Sequence, residues 1–589
     1  MHAPHQGHLL SALAIACSVG MADGQPEFRT VALSEAEAPG VALPTVFNFF
    51  FNPSIGSDGT VSFLGAVNTP SPTNEGIWVE AGSGLVLAAR EGDPAPGLSA
   101  GVVIEALDIA IRAGASTGAF QARIGGAGIS TGNDIVLLGE GPAGTFGVLA
   151  REGDPAPGVG GGLFSAFVGF PAINAAAQRA FVGNLLVGTG GVTAANQGGI
   201  WTDRSGSLAL LVRSGNPAPG AGAGVDFATF DADLAINPSG TIAFAATLTG
   251  SSVNTDNDSS IWRDSGSGPE LVVREGAQVP GEPAGVVYTQ VETRPGLDAD
   301  GRVVFWAEID GPGIDDTNDS GIWAAPLGTV PSPVVREGQP APGTPSGVVF
   351  GDIGLNPSVA AGAGVAFVAE LAGPSILPGN DSGIWISRDG GTTELLAREG
   401  DPAPGVGGGG VYEAFFNNPA LSSTGRTVFG AGLTGGAVTN DDDNGLWTVD
   451  ASGTATLIIR DGDTIDVDDD PVAVDERTVA FSVCERGRGS EDGRNACLNA
   501  DAELTLRLGL EDDGGFGSGI FVIRLEQDDC PGDVNGDGTV SDSDFFAWVT
   551  AFVADPRSPE QEAACDVNRS GNCSDSDFFA WVTIFINGC

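Results

Sequence analysis

The chain has 589 residues, of which 75 are acidic and 25 are arginine; there is no lysine, and the formal net charge is −50. Such a surface excludes nucleic acid as a partner, because phosphate binding depends on neutralisation by Lys and Arg. Hydrophobic residues make up 42% of the chain, although Gly (92) and Pro (37) are abundant. This composition predicts a folded, β-rich protein with several domains or one large repeat array, because 589 residues exceed one ordinary core.

The first segment is predicted to be a signal peptide over residues 1–22, with an apolar core at residues 9–20. It lacks the usual basic flank, and attachment of a lipid at Cys17 is the alternative interpretation. All three histidines precede the apolar core, at His2, His5 and His8. Cleavage would therefore leave a mature chain without histidine.

A repeat of about 62 residues follows, marked by the motif REGDPAPG and its variants. Successive motifs are 61, 62, 61, 62, 62 and 62 residues apart. The motifs begin at Arg90, Arg151, Arg213, Arg274, Arg336, Arg398 and Arg460. A period this regular indicates one supersecondary unit copied many times.

Two further marks divide each unit. The first is a Gly-Ile-Trp strand, found at Trp78, Trp201, Trp262, Trp323, Trp385 and Trp447. The second unit is predicted to carry Val136 in place of this Trp. The other mark is an NxxGxxxF pattern, as in residues 237–244, with related sequences at 174–181 and 298–305. Aliphatic and aromatic runs between Gly, Pro, Asn and Asp predict about four short strands in each unit.

The two ends of the array are complementary. Residues 31–40 align without a gap to residues 396–405, whereas the last unit stops at residues 519–524 without the strand that normally follows. A first strand that completes the last unit is what a closed ring needs, and closure removes exposed strand edges. We therefore predict an all-β domain over residues 29–525, an eight-bladed β-propeller closed by the N-terminal strand. An open array of small β modules is the alternative.

The NxxGxxxF marks, the tandem array and the separate C-terminal segment together resemble a bacterial family of exported repeat proteins with interchangeable anchors. The resemblance covers roughly residues 30–525. It implies export and anchoring, and it implies no biochemical activity.

A linker at residues 526–529 is predicted to precede a small domain at residues 530–589, which contains two twelve-residue loops rich in oxygen ligands. The first loop, DVNGDGTVSDSD, offers Asp533, Asn535, Asp537, the Thr539 carbonyl, Ser541 and Asp544. The second, DVNRSGNCSDSD, offers Asp566, Asn568, Ser570, the Asn572 carbonyl, Ser574 and Asp577. Ca²⁺ takes six to eight oxygen ligands at this spacing, so we predict two calcium sites. The second loop has one carboxylate fewer and is expected to bind more weakly.

Each loop runs into the same segment, SDFFAWVT, at residues 543–550 and 576–583, in which the apolar residues have helical spacing. Two loop-helix units of this kind, with Asp at the twelfth loop position and no entering helix, resemble a type I dockerin. Cys530 and the terminal Cys589 further resemble the GC-type dockerins of planctomycete-like bacteria. The resemblance implies a Cys530–Cys589 clasp and a Cys565–Cys573 pair, although four cysteines allow three pairings.

By the same resemblance, the partner of this domain is a cohesin-like receptor. The loop positions at which dockerins are read hold Asp542, Ser543, Asp575 and Ser576. The alternative is that calcium only folds the small domain.

Six cysteines remain after the signal peptide, and an even number in an exported chain predicts disulfides. Two of them, Cys484 and Cys497, lie in an insertion of about twelve residues in the eighth unit, which also holds Arg486, Arg488 and Arg494. We expect a disulfide-bonded surface loop there, with a ligand-binding loop as the alternative. After the signal peptide no stretch reaches the ~20 apolar residues of a membrane span.

Three repeated features have two interpretations each. The Trp residues are predicted to pack between blades, with sugar stacking as the alternative. The Arg-Glu pair of REG is predicted to be a structural ion pair, with a lined channel as the alternative. Acidic turns such as residues 256–258, 315–316, 380–381 and 441–443 are predicted to be Asx turns, with cation binding as the alternative.

The combined prediction is a secreted or cell-surface protein that presents a propeller for glycan or protein binding and is anchored by a calcium-dependent dockerin-like domain. Without His or Lys in the mature chain, Ser-His-Asp, HExxH and Schiff-base chemistry are excluded, so a non-enzymatic role is favoured. The alternative is a polysaccharide-degrading enzyme that uses a carboxylate pair.

Overall fold

In the computed structural model, the described residues are 28–71, 73–81, 84–108, 111–114, 117–141, 145–467, 476–483, 490–494, 496–512, 515–525 and 548–549. They form eight antiparallel sheets, each built from one repeat unit. The predicted eight-bladed β-propeller is confirmed, and the described residues form no open array of separate modules. Among them, no helix is long and apolar enough to span a membrane.

The first strand in the chain is β1 (Phe28–Leu33), which belongs to the last blade. Blade 1 contains β2 (Phe47–Phe50), β3 (Ser54–Ile55), β4 (Val61–Val67), β5 (Glu75–Ala81) and β6 (Gly84–Arg90). Blade 2 contains β7 (Val102–Leu107), β8 (Ile111–Gly114), β9 (Thr117–Gly126), β10 (Ile135–Glu140) and β11 (Phe146–Arg151). Blade 3 contains β12 (Phe164–Ile173), β13 (Arg179–Leu185), β14 (Gly198–Thr202) and β15 (Ala209–Arg213). Blade 4 contains β16 (Val225–Phe230), β17 (Ala235–Ile236), β18 (Ile242–Gly250), β19 (Ser259–Asp264) and β20 (Glu270–Arg274).

Blade 5 contains β21 (Val287–Val291), β22 (Gly296–Leu297), β23 (Val303–Asp310), β24 (Ser320–Ala325) and β25 (Ser332–Arg336). Blade 6 contains β26 (Val349–Ile353), β27 (Ser358–Ala360), β28 (Gly364–Ala372), β29 (Ser382–Arg388) and β30 (Thr393–Arg398). Blade 7 contains β31 (Val411–Leu421), β32 (Thr427–Thr434), β33 (Asn444–Val449) and β34 (Ala455–Arg460). Blade 8 adds β35 (Thr464–Asp466), β36 (Glu476–Val483), β37 (Glu503–Asp512) and β38 (Gly515–Arg524) to β1. Two 3₁₀ turns lie at Ala194–Asn196 and Gly407–Gly409.

The innermost strand of each blade runs along the ring axis. In five blades it is split into two pieces that pair with the same second strand, as β16 and β17 both pair with β18. The short second pieces of neighbouring blades contact one another: β3 contacts β8, β17 contacts β22, and β22 contacts β27. These strands therefore surround the axis, and the REG strands form the outer edge.

Blade 8 closes the ring by the predicted route. Strand β1 pairs antiparallel with β38, from Phe28 opposite Ile523 to Leu33 opposite Gly519. The following residues repeat the connection seen in the other blades, because the Trp78 indole donates to the Pro39 carbonyl at 2.9 Å. The first residues of the ring thus supply the outer strand of the last blade and pair with the outer edge of β38.

The Gly-Ile-Trp strands place six indoles in the packing between blades. All six Trp side chains are fully buried. Five of the six have a partner Phe on the neighbouring strand stacked at 6.1 to 6.3 Å, as in Phe181 and Trp201. Four indoles also donate to a proline carbonyl of the preceding connection, as Trp447 does to Pro404 at 2.9 Å. The packing interpretation is confirmed, because buried indoles cannot stack on a sugar.

Blade 2 departs from the predicted alignment. The residue opposite Phe120 is Leu138, whereas in blade 3 the residue opposite Phe181 is Trp201. Leu138 therefore holds the Trp position, fully buried, and the prediction of Val136 was wrong by two residues. The strand registers reveal the error, because the unit lacks the Gly-Ile-Trp letters that mark the position elsewhere.

Arginines join neighbouring blades. Arg29 of β1 forms an ion pair with Glu80 of blade 1 at 2.5 Å, and Arg204 of blade 3 forms one with Asp264 of blade 4 at 2.7 Å. Arg263 of blade 4 is buried and donates to the Ala325 carbonyl of blade 5 at 2.8 Å. A planar guanidinium can satisfy several acceptors at once, which suits these junctions.

Candidate functional site

The insertion in blade 8 lies on the axis of the ring. Its residues 490–500, here called the plug, follow β36 and precede β37, with residue 495 outside the described set. Three plug carbonyls accept backbone N–H groups from three different blades: Ala496 from Ile55 at 3.1 Å, Gly493 from Ile173 at 2.8 Å, and Asp492 from Ile236 at 2.8 Å. A segment bonded to innermost strands of blades 1, 3 and 4 must run across the centre.

Glu491 extends the plug to blades 5 and 6. Its Oε2 accepts the N–H of Ala299 at 3.0 Å and the N–H of Ala361 at 2.9 Å. Burial raises the pKa of Glu491, the two backbone donors lower it, and the nearby Asp298 raises it further. This carboxylate is therefore a bridge between two blades.

Arg494 fills the other side of the plug. Its guanidinium donates to the carbonyls of Leu234 at 3.1 Å, Asp233 at 2.9 Å and Pro295 at 2.9 Å. It also pairs at 3.1 Å with Asp492, whose side chain is 2% exposed. The expectation of a surface loop was wrong for this part of the insertion, because the described residues are held inside the ring.

Two further contacts bring in the remaining neighbours. The Asn499 side chain donates to the Gly56 carbonyl of blade 1 at 3.1 Å, and the Ser423 hydroxyl of blade 7 donates to the Ala500 carbonyl at 2.9 Å. Gly493 has φ +70, and a Cβ there would lie 2.5 Å from the Ile236 carbonyl oxygen. The described plug residues thus contact six other blades, and the close approach at Gly493 requires glycine.

In blades 1 to 7 the innermost strand carries a β-bulge in its first half. In blade 8 the bulge lies in β36, which pairs with the short β35 on its other side. The bulge follows an aromatic or aliphatic core residue, such as Phe227 or Tyr288. We call the bulged residues the bulge ring: Asn48, Glu105, Ser165, Ala228, Thr289, Gly351, Glu413 and Ala480. Bulges re-aim side chains and occur often beside functional sites.

The bulge ring and the plug lie at different levels of the axis. Asn48 precedes Ile55, the plug contact of blade 1, by seven residues, and Ala228 precedes Ile236 by eight. At ~3.3 Å per extended residue, these intervals correspond to roughly 20 Å along the strand. Asn48, Glu105, Thr289 and Glu413 are exposed. The end of the axis away from the plug therefore presents side chains that differ from blade to blade.

One part of this end is aromatic and cationic. Phe49, next to the bulge of blade 1, is 42% exposed. The Arg507 guanidinium of blade 8 lies 5.2 Å from its ring centroid and donates to the Asn52 side chain at 3.3 Å. This cluster sits where the first and last blades meet.

Sequence reasoning missed the bulge ring. Six of its eight members lie 14 or 15 residues after the Arg of the preceding REG motif, as Glu105 follows Arg90 and Thr289 follows Arg274; the exceptions are Asn48, which precedes the first REG motif, and Ala480. Aligning the units on that Arg would have shown a variable position directly after a repeated large apolar residue. Variation at one fixed position of a regular repeat is the signal that could have found it.

The REG residues have a structural role, but among the residues that the structure describes the predicted Arg-Glu ion pair does not form. The Arg reaches the turn before the Trp strand of its own blade, as Arg274 does to the Asn257 carbonyl at 2.7 Å. The Glu accepts a backbone N–H at the start of that strand, as Glu275 does from Ser259 at 3.1 Å. Burial, the largest cause, raises the pKa of Glu275, and the like charge of Asp258 adds to the shift.

The acidic turns are closed by their own Asn and Asp side chains. In each one an Asn or Asp side chain accepts the backbone N–H of the residue three positions earlier, as Asn318 does from Asp315 at 3.1 Å and Asp442 from Thr439 at 2.6 Å. Within the described part of the chain, no group of three or more His, Cys, Asp or Glu is arranged to hold a metal ion. The Asx interpretation is confirmed at two of these turns, where Asp315 accepts the N–H of Thr317 at 3.1 Å and Asn254 accepts that of Asp256 at 3.2 Å.

The twelve predicted calcium ligands lie outside the described residues, so the structure does not test them. They are Asp533, Asn535, Asp537, Thr539, Ser541, Asp544, Asp566, Asn568, Ser570, Asn572, Ser574 and Asp577. In the segment after the first loop, Trp548 and Val549 are described; both are helical, and Trp548 is 4% exposed. Among the cysteines, Cys497 is described and buried. The individual disulfide pairings therefore stay predictions.

Comparison with protein families assigns the two parts of the chain. The model of a family of unknown function, DUF7453, matches residues 18–339 and 328–526. The chain belongs to the DUF7453 family. The model of the dockerin type I domain matches residues 531–582 of this DUF7453 protein. The C-terminal domain is therefore a dockerin type I domain, whereas the GC-type assignment stays a prediction.

No curated protein matches this DUF7453 chain. Among solved structures, it is similar to an alpha-L-arabinanase of Penicillium chrysogenum complexed with arabinobiose, with 10% identity, 62% of this chain and 99% of that chain covered, and a TM-score of 0.24. The periplasmic gluconolactonase PpgL of Pseudomonas aeruginosa has 14% identity, coverage of 70% and 96%, and a TM-score of 0.24. The polysaccharide lyase Uly1 has 9% identity, coverage of 84% and 98%, and a TM-score of 0.30. At these TM-scores, nothing about function follows from the likeness.

Proposed function

We propose that this protein is an exported binding or scaffold protein, held at a cell surface or in a complex by its dockerin, which presents the propeller to a glycan or protein ligand. The observation that carries the proposal is the dockerin type I match at residues 531–582, directly after the last blade. Dockerins bind calcium and dock to cohesins, and they occur in exported proteins. The partner proposed here is a cohesin-like receptor.

The two calcium loops are the proposed means of attachment. The first loop would use three carboxylates, from Asp533, Asp537 and Asp544, and the second would use two, from Asp566 and Asp577. Because Ca²⁺ affinity depends on ligand charge, the first site is expected to be the tighter one. Asp542, Ser543, Asp575 and Ser576 are proposed to contact the receptor.

A calcium titration of the full chain tests this function. Calorimetry should show two calcium ions per chain, with Asp533→Ala removing the tighter site and Asp566→Ala the weaker one. The secreted chain should begin after residue 22, as read by mass spectrometry of its N-terminus. Absence of calcium binding by the full chain would exclude dockerin-mediated attachment.

The hydrogen bonds of the repeated carboxylates favour a ligand-binding role of the propeller over a catalytic role. In the REG motifs they accept backbone N–H groups at strand starts, as Glu152 does from Ile135 at 3.3 Å, and so have structural work in each blade. A catalytic pair must instead face a substrate from both sides. The exposed Glu105 and Glu413 favour the second candidate function, polysaccharide degradation by a carboxylate pair, and both residues belong to the bulge ring.

A further inference from the structure

We propose that the bulge ring is the ligand-binding rim of the propeller and that its ligand is an uncharged saccharide. The proposal rests on the proposed binding function and adds to it a location and a ligand class. Three features carry it: the plug at one end of the axis, the variable exposed residues at the other, and the chemistry of those residues.

The plug leaves one end of the axis for a ligand. Backbone and side-chain bonds from Gly493, Glu491 and Arg494 occupy the innermost strands of blades 3 to 6 at their second halves. A ligand entering from the plug end would need these same strand edges as hydrogen-bond partners. The first halves, at the bulges, make no such contacts with the described plug residues. Access is therefore expected at the bulge end.

The differences between blades also favour the bulge ring as the ligand-binding site. Positions that repeat in nearly every blade, such as the buried Trp residues and the REG side chains, are explained by packing and turn contacts. A ligand that lacks the symmetry of the ring must be recognised by residues that differ between blades. The bulge positions supply an amide at Asn48, hydroxyls at Ser165 and Thr289, and a carboxylate at Glu413.

The side chains of the rim suit a ligand rich in hydroxyl groups. Asn48, Thr289 and the adjacent Gln290 are exposed and offer both donors and acceptors. Glu413 and Glu105 accept hydroxyl donors strongly, because their carboxylates are charged. Phe49 adds an exposed ring face, which can pack on the apolar face of a sugar. Pockets with few placed polar groups and an aromatic wall are typical of small-molecule sites.

Charge argues for an uncharged ligand. The chain carries a formal net charge of −50, the rim contains the carboxylates of Glu105 and Glu413, and the exposed Asp352 is next to Gly351 of the rim. An anionic polysaccharide would be repelled by this field. Arg123 lies 3.8 Å from Glu105, and Arg507 is engaged with Phe49 and Asn52, so these nearby cations already have partners.

The test uses the full calcium-loaded chain and calorimetry with four probes up to about 1 mM, the weak end of specific binding. The probes are xylohexaose and mannohexaose as uncharged saccharides, hexagalacturonate as an anionic one, and a basic peptide. The rim variant is Asn48→Ala/Thr289→Ala/Gln290→Ala. The matched control, Ser267→Ala/Thr392→Ala, removes exposed hydroxyls from hairpin turns between the two outer strands of blades 4 and 6. Melting temperatures show that each variant is folded.

Binding of an uncharged hexaose that the rim variant weakens about tenfold or more, with the control unchanged, is the expected result. Saccharide binding that both variants leave intact overturns the location but leaves the binding function standing. Binding of hexagalacturonate or the peptide alone overturns the ligand class. Failure of all four probes overturns the saccharide assignment, while the calcium titration judges the attachment separately. New reducing ends, abolished by Glu413→Gln, would replace the binding role with an enzymatic one.

Discussion

Blades 4 and 8 differ in the segment that follows the first part of the innermost strand. In blade 4, residues 231–234 join the two pieces of the innermost strand and only kink it. In blade 8, residues 484–502 stand between β36 and β37, and their described part crosses the axis. The comparison teaches that one unit of a regular ring can be lengthened at its inner edge without disturbing the strand order, because the axis offers unpaired backbone groups to the insertion.

The largest effect on stability is expected when the guanidinium of Arg494 is removed from the plug. Arg494→Ala would remove the 3.1 Å ion pair with the buried Asp492 carboxylate and the donor that Arg494 supplies to three blade carbonyls. Breaking one partner of a buried pair costs ~3–5 kcal/mol. The control Arg524→Ala removes an exposed partner of Glu503 and should change the free energy of unfolding by ~0.5 kcal/mol or less. Urea unfolding of both variants is the measurement, and equal effects would show that the plug adds no stability.

A smaller effect is expected from a methyl group on the axis. Gly493→Ala would place Cβ 2.5 Å from the Ile236 carbonyl oxygen and 2.8 Å from that of Ile173, at a φ of +70. Strain of this kind costs ~1–3 kcal/mol. The matched control is Gly453→Ala, where φ is +86 and nothing lies within 4 Å of the added Cβ. If the two variants unfold at the same urea concentration, the close approach of the plug to blades 3 and 4 is refuted.

An effect of similar size is expected at Glu491. Glu491→Ala leaves the N–H groups of Ala299 and Ala361 without an acceptor, at a cost of ~1–3 kcal/mol, whereas the carbonyl oxygen of Glu491→Gln can still accept them.

This pair of variants also has a pH dependence. Because burial raises the folded-state pKa of Glu491 above the ordinary value of 4.5, ionisation costs more in the folded than in the unfolded chain. Relative to Glu491→Gln, the wild type should therefore lose stability as the pH rises above 4.5 and level off beyond the folded-state pKa. The measurement is the melting temperature of the two proteins across pH. If the wild type gains stability relative to Glu491→Gln as the pH rises, the burial of the Glu491 carboxylate between blades 5 and 6 is contradicted.

Local repetition explains which features could be predicted. The blade number and the ring closure could be predicted because each unit repeats the same strands at a fixed interval. The first residues also match the strand that the last unit lacks. The Trp packing followed for the same reason. Leu138 was misplaced because blade 2 lacks the marking letters, and the strand register alone aligns it with Trp201. The REG ion pair was wrong because adjacent strand residues point to opposite sides, so Arg274 and Glu275 find different partners.

By itself, the sequence determined the eight-fold repeat, the closure by the first strand, and the dockerin type I domain, because short motifs at regular spacing identify each of them. Only the tertiary structure decided that the blade 8 insertion lies on the axis and that one variable bulge per blade gathers around it. The reason is physical: the position of the plug is set by hydrogen bonds to residues as far away in the chain as Ile55 and Ile236. Such contacts exist only once the ring has closed.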